Sequence, residues 1–303
     1  MSNCYSPAMK QPLSRRSAIG KVAGAAAMLS AAANLAQRLG AADAAAGAEL
    51  KGRINHSACR WCYDKIPLET LCEAGKAMGL KSIDLLTTKD FATIQKYGLV
   101  CAMVTGTPGG ITTGLNRLEH HDKIVGFLEQ TIPLVAEAGF PNIICFSGNR
   151  KGMDDAKGME NCAIGLQRIV GVAEKHKVNV CMELLNSRHN HPDYMCDHSA
   201  WGVALCKKVG SERIKLLYDI YHMQIMEGDV IQTIRDNHQY FGHFHTGGVP
   251  GRHEIDETQE LNYGAVMRAI VETGYKGYVA QEFIPTGNDP LASLKKCVGI
   301  CDV

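Results

Sequence analysis

Four short apolar runs in the C-terminal half of this sequence each end on a side chain that can hold a cation or move a proton. Val178-Asn179-Val180-Cys181-Met182-Glu183 ends in a carboxylate, and Ile214-Lys215-Leu216-Leu217-Tyr218-Asp219 ends in another. Phe241-Gly242-His243-Phe244-His245 ends in an imidazole, and Tyr278-Val279-Ala280-Gln281-Glu282 ends in a third carboxylate. A single acid past the end of a strand reads as a surface residue. Four such ends in succession read as a set. Three carboxylates and one imidazole suit one divalent ion of the Mn2+, Mg2+, Co2+ or Zn2+ group.

Such a set needs a scaffold that brings successive strand ends to one rim. From Ile54 onward, apolar runs over 54–60, 81–86, 99–104, 142–147, 178–184, 214–219, 240–246 and 277–283 alternate with helical patterns near 67–79, 90–97, 119–138, 159–176, 198–209, 228–238, 262–273 and 289–300. Strand–helix alternation of this count over roughly 250 residues predicts an α/β fold, a (β/α)8 TIM barrel whose catalytic groups gather at the strand C-termini. Gly139 and Gly274 stand where helices must stop before the next strand. The competing architecture is an open doubly wound sheet, weakened because no Gly-x-Gly-x-x-Gly follows an early strand. The four polar ends fall on the fifth to eighth strands, side by side around half of the barrel mouth.

The first 48 residues differ from the rest. Ser14-Arg15-Arg16-Ser17 precedes an Ala-rich stretch and small residues near Ala42-Asp43-Ala44. This order predicts a twin-arginine export signal over 1–48, with the barrel domain at 49–303 and a periplasmic location. If that signal does not operate, the location is cytoplasmic. A membrane span is disfavoured because the stretch is weakly apolar, so no membrane role beyond export is expected. The whole chain of 303 residues carries a formal charge of +1 and is 46% hydrophobic, which gives no basic field for nucleic acid. Twelve cysteines are scattered through it, most in apolar runs, where they read as small core hydrophobes. Cys59 and Cys62 form a C-x-x-C pair without the second pair that a zinc ribbon requires.

Longer motifs carry a resemblance. Tyr218-Asp219-Ile220-Tyr221-His222-Met223-Gln224, Gly242-His243-Phe244-His245 running to Pro250-Gly251-Arg252-His253-Glu254, and Gly277 to Pro285 around Gln281-Glu282 resemble hydroxypyruvate isomerases of the xylose isomerase-like barrel superfamily. So do Met182-Glu183-Leu184-Leu185-Asn186 with Asn190-His191-Pro192, and Cys59-Arg60-Trp61-Cys62-Tyr63. The resemblance implies Glu183, Asp219, His245 and Glu282 as metal ligands and Glu183 and Glu282 as the acid–base pair. It also implies substrate contacts from His222 and Arg252, with Trp61, Asn186 and His191 lining the pocket. Two departures concern the substrate. Hydroxypyruvate isomerases tend to have Gln at the position of His245, where ketose 3-epimerases carry His. They also often have Pro where this chain has Leu184.

The implied reaction is metal-dependent interconversion of an aldehyde and a ketone, of the hydroxypyruvate/tartronate semialdehyde type, through an enediolate. The expected partner is a small sugar or hydroxy-keto acid; a homo-oligomer is compatible with the sequence. The alternatives are a periplasmic sugar or keto-sugar 3-epimerase or lyase, which export favours, and a catalytically silent sugar-binding barrel. A DNA-repair endonuclease of the same superfamily would need a multi-zinc cluster and a basic groove.

Overall fold

The computed structural model describes residues 50–303. The expected twin-arginine segment, and with it the domain boundary at 48/49, lies outside the described residues. Within them, seven parallel strands run β1 Asn55–Cys59, β2 Ser82–Asp84, β3 Asn142–Cys145, β4 Asn179–Leu184, β5 Ile214–Asp219, β6 Phe241–Thr246 and β7 Tyr278–Gln281. They are ordered β2-β1-β7-β6-β5-β4-β3. The two end strands are joined through the segment 100–104. Val100 bridges Ser82, and Val104 bridges both Leu86 and Ile143, all parallel. This irregular eighth stave closes the cylinder, so the expected eight-stave barrel is what the chain forms. Its third stave is held by isolated bridges because only part of the 99–104 run keeps strand pairing.

Nine helices among the described residues surround the staves: α1 Leu68–Ala77, α2 Phe91–Lys96, α3 His121–Glu137, α4 Asp155–His176, α5 Ser199–Val209, α6 Ile220–Met226, α7 Val230–Asn237, α8 Tyr263–Glu272 and α9 Pro290–Cys301. Local chemistry sets their ends. Asp154 accepts from the Ala156 and Lys157 amides to start α4, and Asp289 accepts from Leu291 and Ala292 to start α9, with Pro290 in the first turn. Such caps satisfy otherwise orphaned N–H groups and contribute about 1 kcal/mol each. Helix α6 was not expected from periodicity. It follows β5 without a loop because Asp219 accepts from the His222 amide at 3.1 Å and so caps it.

The strands are buried on both faces, as parallel strands under helices must be. Ile143, Val180, Leu216, Phe244 and Val279 are at most 1% exposed. Where β6 meets β5 the register slips: Leu216 faces Phe241 while Leu217 faces His243. Gly242 is therefore the extra residue of a bulge. A Cβ there would meet Cys181 Sγ at 2.9 Å and Lys215 Cβ at 3.0 Å. The eleven cysteines among the described residues are all unpaired, ten buried and Cys62 half-buried, in keeping with core packing. No helix among the described residues is long and apolar enough to cross a membrane.

Candidate active site

Strand pairing brings the four polar ends together. Asp219 and His245 are direct cross-strand partners, and the Glu282 amide donates to Thr246 O at 3.1 Å just past β7. Glu183, Asp219, His245 and Glu282 each offer a ligand atom, and these atoms all lie within 4.8 Å of one another. All four residues are buried. The His245 Nδ1 lies 2.7 Å from Glu282 Oε2 and 3.7 Å from Glu183 Oε1, yet out of line for a hydrogen bond. A buried ring nitrogen aimed at clustered carboxylates without a hydrogen-bond partner fits a cation ligand. The donor set therefore matches one divalent ion.

Arg252 ties the acids together. Its NH2 donates to Asp219 Oδ2 at 2.8 Å and to Glu282 Oε2 at 2.5 Å, and its NH1 donates to His222 Nε2 at 2.9 Å. A tight loop presents it: the Arg252 amide donates to Gly248 O at 2.8 Å, and the Gly248 amide donates to His253 O at 2.9 Å. A Cβ at Gly248 would sit 2.3 Å from Glu254 O, so the turn needs glycine. Trp61, in the helical turn that follows β1, donates from Nε1 to Glu282 Oε1 at 2.7 Å and lies against the guanidinium, 5.5 Å from ring centre to Cζ.

These contacts separate the two glutamates electrically. Burial, and then the Glu282 charge, pushes the Glu183 carboxyl upward against the pull of His245. Burial opposes ionisation of Glu282 as well, but His245, Arg252 and the Trp61 hydrogen bond hold it well below the usual carboxylate range. Asp219 is pushed up to about 8, by burial first and by its carboxylate neighbours, against Arg252. A divalent ion held by both would favour the ionised form of each, Glu183 most of all.

A cavity of about 320 Å3 opens above the cluster, lined by Trp61, Leu85, Thr105, Ile111, Ile144, Phe146, Glu183, Leu185, His191, Arg252 and Glu282. The structure thus sets Trp61, His191 and Arg252 in the wall. Two expected substrate contacts stand elsewhere. His222 and Asn186 are 0% exposed, outside the wall, with the Asn186 side-chain amide 2.6 Å from His222 Nδ1. Together they brace Arg252 from behind. Their placement has a local cause: the Asp219 cap winds His222 into α6, which sets its ring against Arg252 rather than in the wall. A depression of about 430 Å3 between α5, the end of α6 and α7 is lined by Ser199, Lys207, Glu227 and Asn237. It lies in the helical layer and lacks such a cluster.

The sequence reading missed Asp84. It ends β2 below the cluster, is fully buried, and accepts from Ser57 and Ser82 hydroxyls at 2.7 Å each. Its Oδ2 is 2.5 Å from His243 Nε2 and 3.9 Å from His245 Nε2, and Cys59 Sγ is 3.6 Å from that same His245 nitrogen. The signal was weak: Asp84 is the one acid of the 81–86 run, but Leu85 and Leu86 follow it, so it does not stand at the end of that run.

Comparison with known proteins agrees with this geometry. Residues 73–296 match the family model described as xylose isomerase-like TIM barrel. A putative hydroxypyruvate isomerase of Xenopus laevis is 32% identical over 260 residues, covering 80% of this chain and 94% of the relative. One of Homo sapiens is 28% identical over 237 residues, covering 75% and 78%. The crystal structure of D-psicose 3-epimerase with D-tagatose from Clostridium cellulolyticum H10 superposes with a TM-score of 0.66 at 18% identity, covering 82% of this chain and all of that one. The chain belongs to the xylose isomerase-like TIM barrel family, among isomerase and epimerase relatives.

Proposed function

We propose that this protein is a metal-dependent isomerase that interconverts the aldehyde and ketone forms of a small hydroxy-carbonyl compound. The observation that carries the reading is the convergence of Glu183, Asp219, His245 and Glu282 within 4.8 Å beneath a cavity open to solvent at its mouth. A divalent ion held by these four residues would draw charge from the substrate's carbonyl and hydroxyl oxygens and acidify the adjoining C–H. Glu183 and Glu282 both reach the cavity wall from staves three positions apart, so they approach the substrate from two directions on the polar side of the wall. One removes the carbon-bound proton, leaving an enediolate; the other returns a proton to the neighbouring carbon, while the hydroxyl proton passes from the oxygen that becomes the carbonyl to the oxygen that was one. Trp61 fixes the rotamer of Glu282 through its indole N–H, and Arg252 keeps that carboxylate ionised.

A second reading, epimerisation of a keto-sugar, uses the same two glutamates with the proton returned to the opposite face of the same carbon. His245 favours it, since the resembling hydroxypyruvate isomerases tend to carry Gln there. The test for both is solvent exchange. Metal-loaded protein is incubated in deuterated water with ketoses, keto acids and keto-glycosides, and deuterium incorporation is read by proton NMR. Incorporation is expected with the wild type and loss of at least 100-fold in Glu183→Gln and Glu282→Gln. Full incorporation in either variant removes that residue from the pair. We further propose that residues 1–48 direct export, which a reporter fused behind them and assayed by cell fractionation tests.

A further inference from the structure

The cavity wall is divided by stave. Staves one, five and eight and the loops after five and seven bring Trp61, Glu183, Glu282, His191 and Arg252 to one side. Staves two to five bring Leu85, Ile111, Ile144, Phe146 and Leu185 to the other, with Thr105 alone among them as a polar residue. Ile144 and Leu185 are part of the core, whereas Leu85 and Ile111 are only partly buried and pack on it. Ile111 rides on a turn after Gly109 and Gly110, both at positive φ, so the chain spends a glycine pair to turn an apolar side chain toward the cavity. Trp61, 38% exposed, extends the apolar surface to the mouth.

Size and charge both bear on what fits. At ~30 Å3 per water, 320 Å3 corresponds to about ten waters, and a three-carbon acid replaces roughly three of them. The rest would stay wet against isoleucine and phenylalanine, which forgoes the apolar contact the wall offers. As for charge, the wall holds one guanidinium. Its outer nitrogens are already engaged by Asp219, Glu282 and His222. Three ligand carboxylates against Arg252 and one divalent ion leave no surplus positive charge to receive a substrate carboxylate or phosphate.

We propose that the pocket takes an uncharged keto-sugar carrying an apolar substituent, such as an aryl or alkyl glycoside, in preference to a small hydroxy-keto acid. The reacting carbonyl lies on the glutamate side, and the substituent lies against Ile111, Ile144, Phe146 and Leu185. The reading of this cavity as the substrate site rests on the proton-transfer function proposed above, in its epimerising form, because the anomeric carbon of a glycoside is an acetal and only a ketone elsewhere in the ring can acidify a C–H; the choice of substrate class rests on the wall.

Binding and turnover test it separately. Affinities of the metal-loaded protein for hydroxypyruvate, a free hexose carrying a ketone at ring C3 and the phenyl glycoside of that same sugar, in which the ketone stays free, are measured by calorimetry. Exchange in deuterated water is followed on the same three compounds. The phenyl glycoside is expected to bind at least tenfold more tightly than the free sugar, about 1.4 kcal/mol, and to exchange with the highest kcat/KM. Hydroxypyruvate is expected to be the weakest of the three. Ile111→Ser, a loop substitution, should bring the glycoside-to-sugar ratio toward one, and Leu85→Ser gives a second reading of the same ratio. Equal affinity for glycoside and free sugar, or tighter binding of hydroxypyruvate, overturns the substrate assignment while leaving the proton-transfer function intact. Tight glycoside binding with no exchange on any compound has the opposite effect: it upholds the pocket and removes the proposed reaction.

Discussion

His56 offers a quantitative test of how this barrel stores pH sensitivity outside its active site. It sits on β1, 1% exposed, with neither ring nitrogen hydrogen-bonded and Asp302 Oδ1 at 3.8 Å. Burial lowers its pKa from 6.5 to about 4, and Asp302 only partly offsets that. The folded protein therefore holds this imidazole neutral while the unfolded chain protonates it. The folded pKa is depressed, so the stability is fully present above pH 6.5 and is lost as pH falls from 6.5 through 4. Linkage between these two pKa values gives a loss of about 2 kcal/mol at pH 5 and about 3 kcal/mol below pH 4. Urea denaturation at pH 7.5, 6, 5 and 4.5 on wild type and His56→Gln isolates the contribution, because the remaining carboxylates titrate in both proteins. The difference between them should change by about 2 kcal/mol from pH 7.5 to pH 5, with the wild type losing more. A difference that stays flat across this range would refute the reasoning, since it would mean His56 gains its proton without opening the fold.

Asp84→Asn, which weakens the carboxylate behind His245, should lower divalent-ion affinity 10- to 100-fold, read by calorimetric Mn2+ titration. Removing metal with a chelator should abolish solvent exchange and Mn2+ or Co2+ should restore it; exchange that survives exhaustive chelation contradicts the metal assignment. Arg252→Met should destabilise the metal-free protein by about 3 kcal/mol, because Asp219 and Glu282 lose their buried cation, and thermal melting should show the gap narrowing when metal is added. Gly248→Ala should cost at least about 2 kcal/mol in denaturant midpoint measurements, since its Cβ would lie 2.3 Å from Glu254 O.

The barrel was legible in the sequence because parallel strands buried on both faces are near-continuous apolar runs, and eight of them alternate with helical patterns. The four ligand candidates were legible for the same reason: each stands at or next to the C-terminal end of such a run, and strand ends in a barrel share a rim. Asp84 escaped because Leu85 and Leu86 follow it in the 81–86 run, so it reads as an interior polar residue; the structure ends β2 at Asp84 after three residues. Helix α6 escaped because it begins at the last strand residue, with no loop to mark it. The burial of His222 depends on that helix, and the resemblance that implies a substrate contact for it carries no sign of that burial. The bulge at Gly242 is a matter of pairing between strands and leaves no local trace beyond a glycine.

What the sequence by itself determined is the order of apolar and polar residues along each stave, and with it the fold and the donor types at the rim. Distances were left to the tertiary structure. The closing of the cylinder through 100–104, the clamp of Arg252 on Asp219 and Glu282, and the gathering of Leu85, Ile111, Ile144, Phe146 and Leu185 into one wall all join residues far apart in the chain. The physical reason is that periodicity encodes which face a side chain takes within its own element, whereas a pocket's shape and charge arise from how separate elements pack.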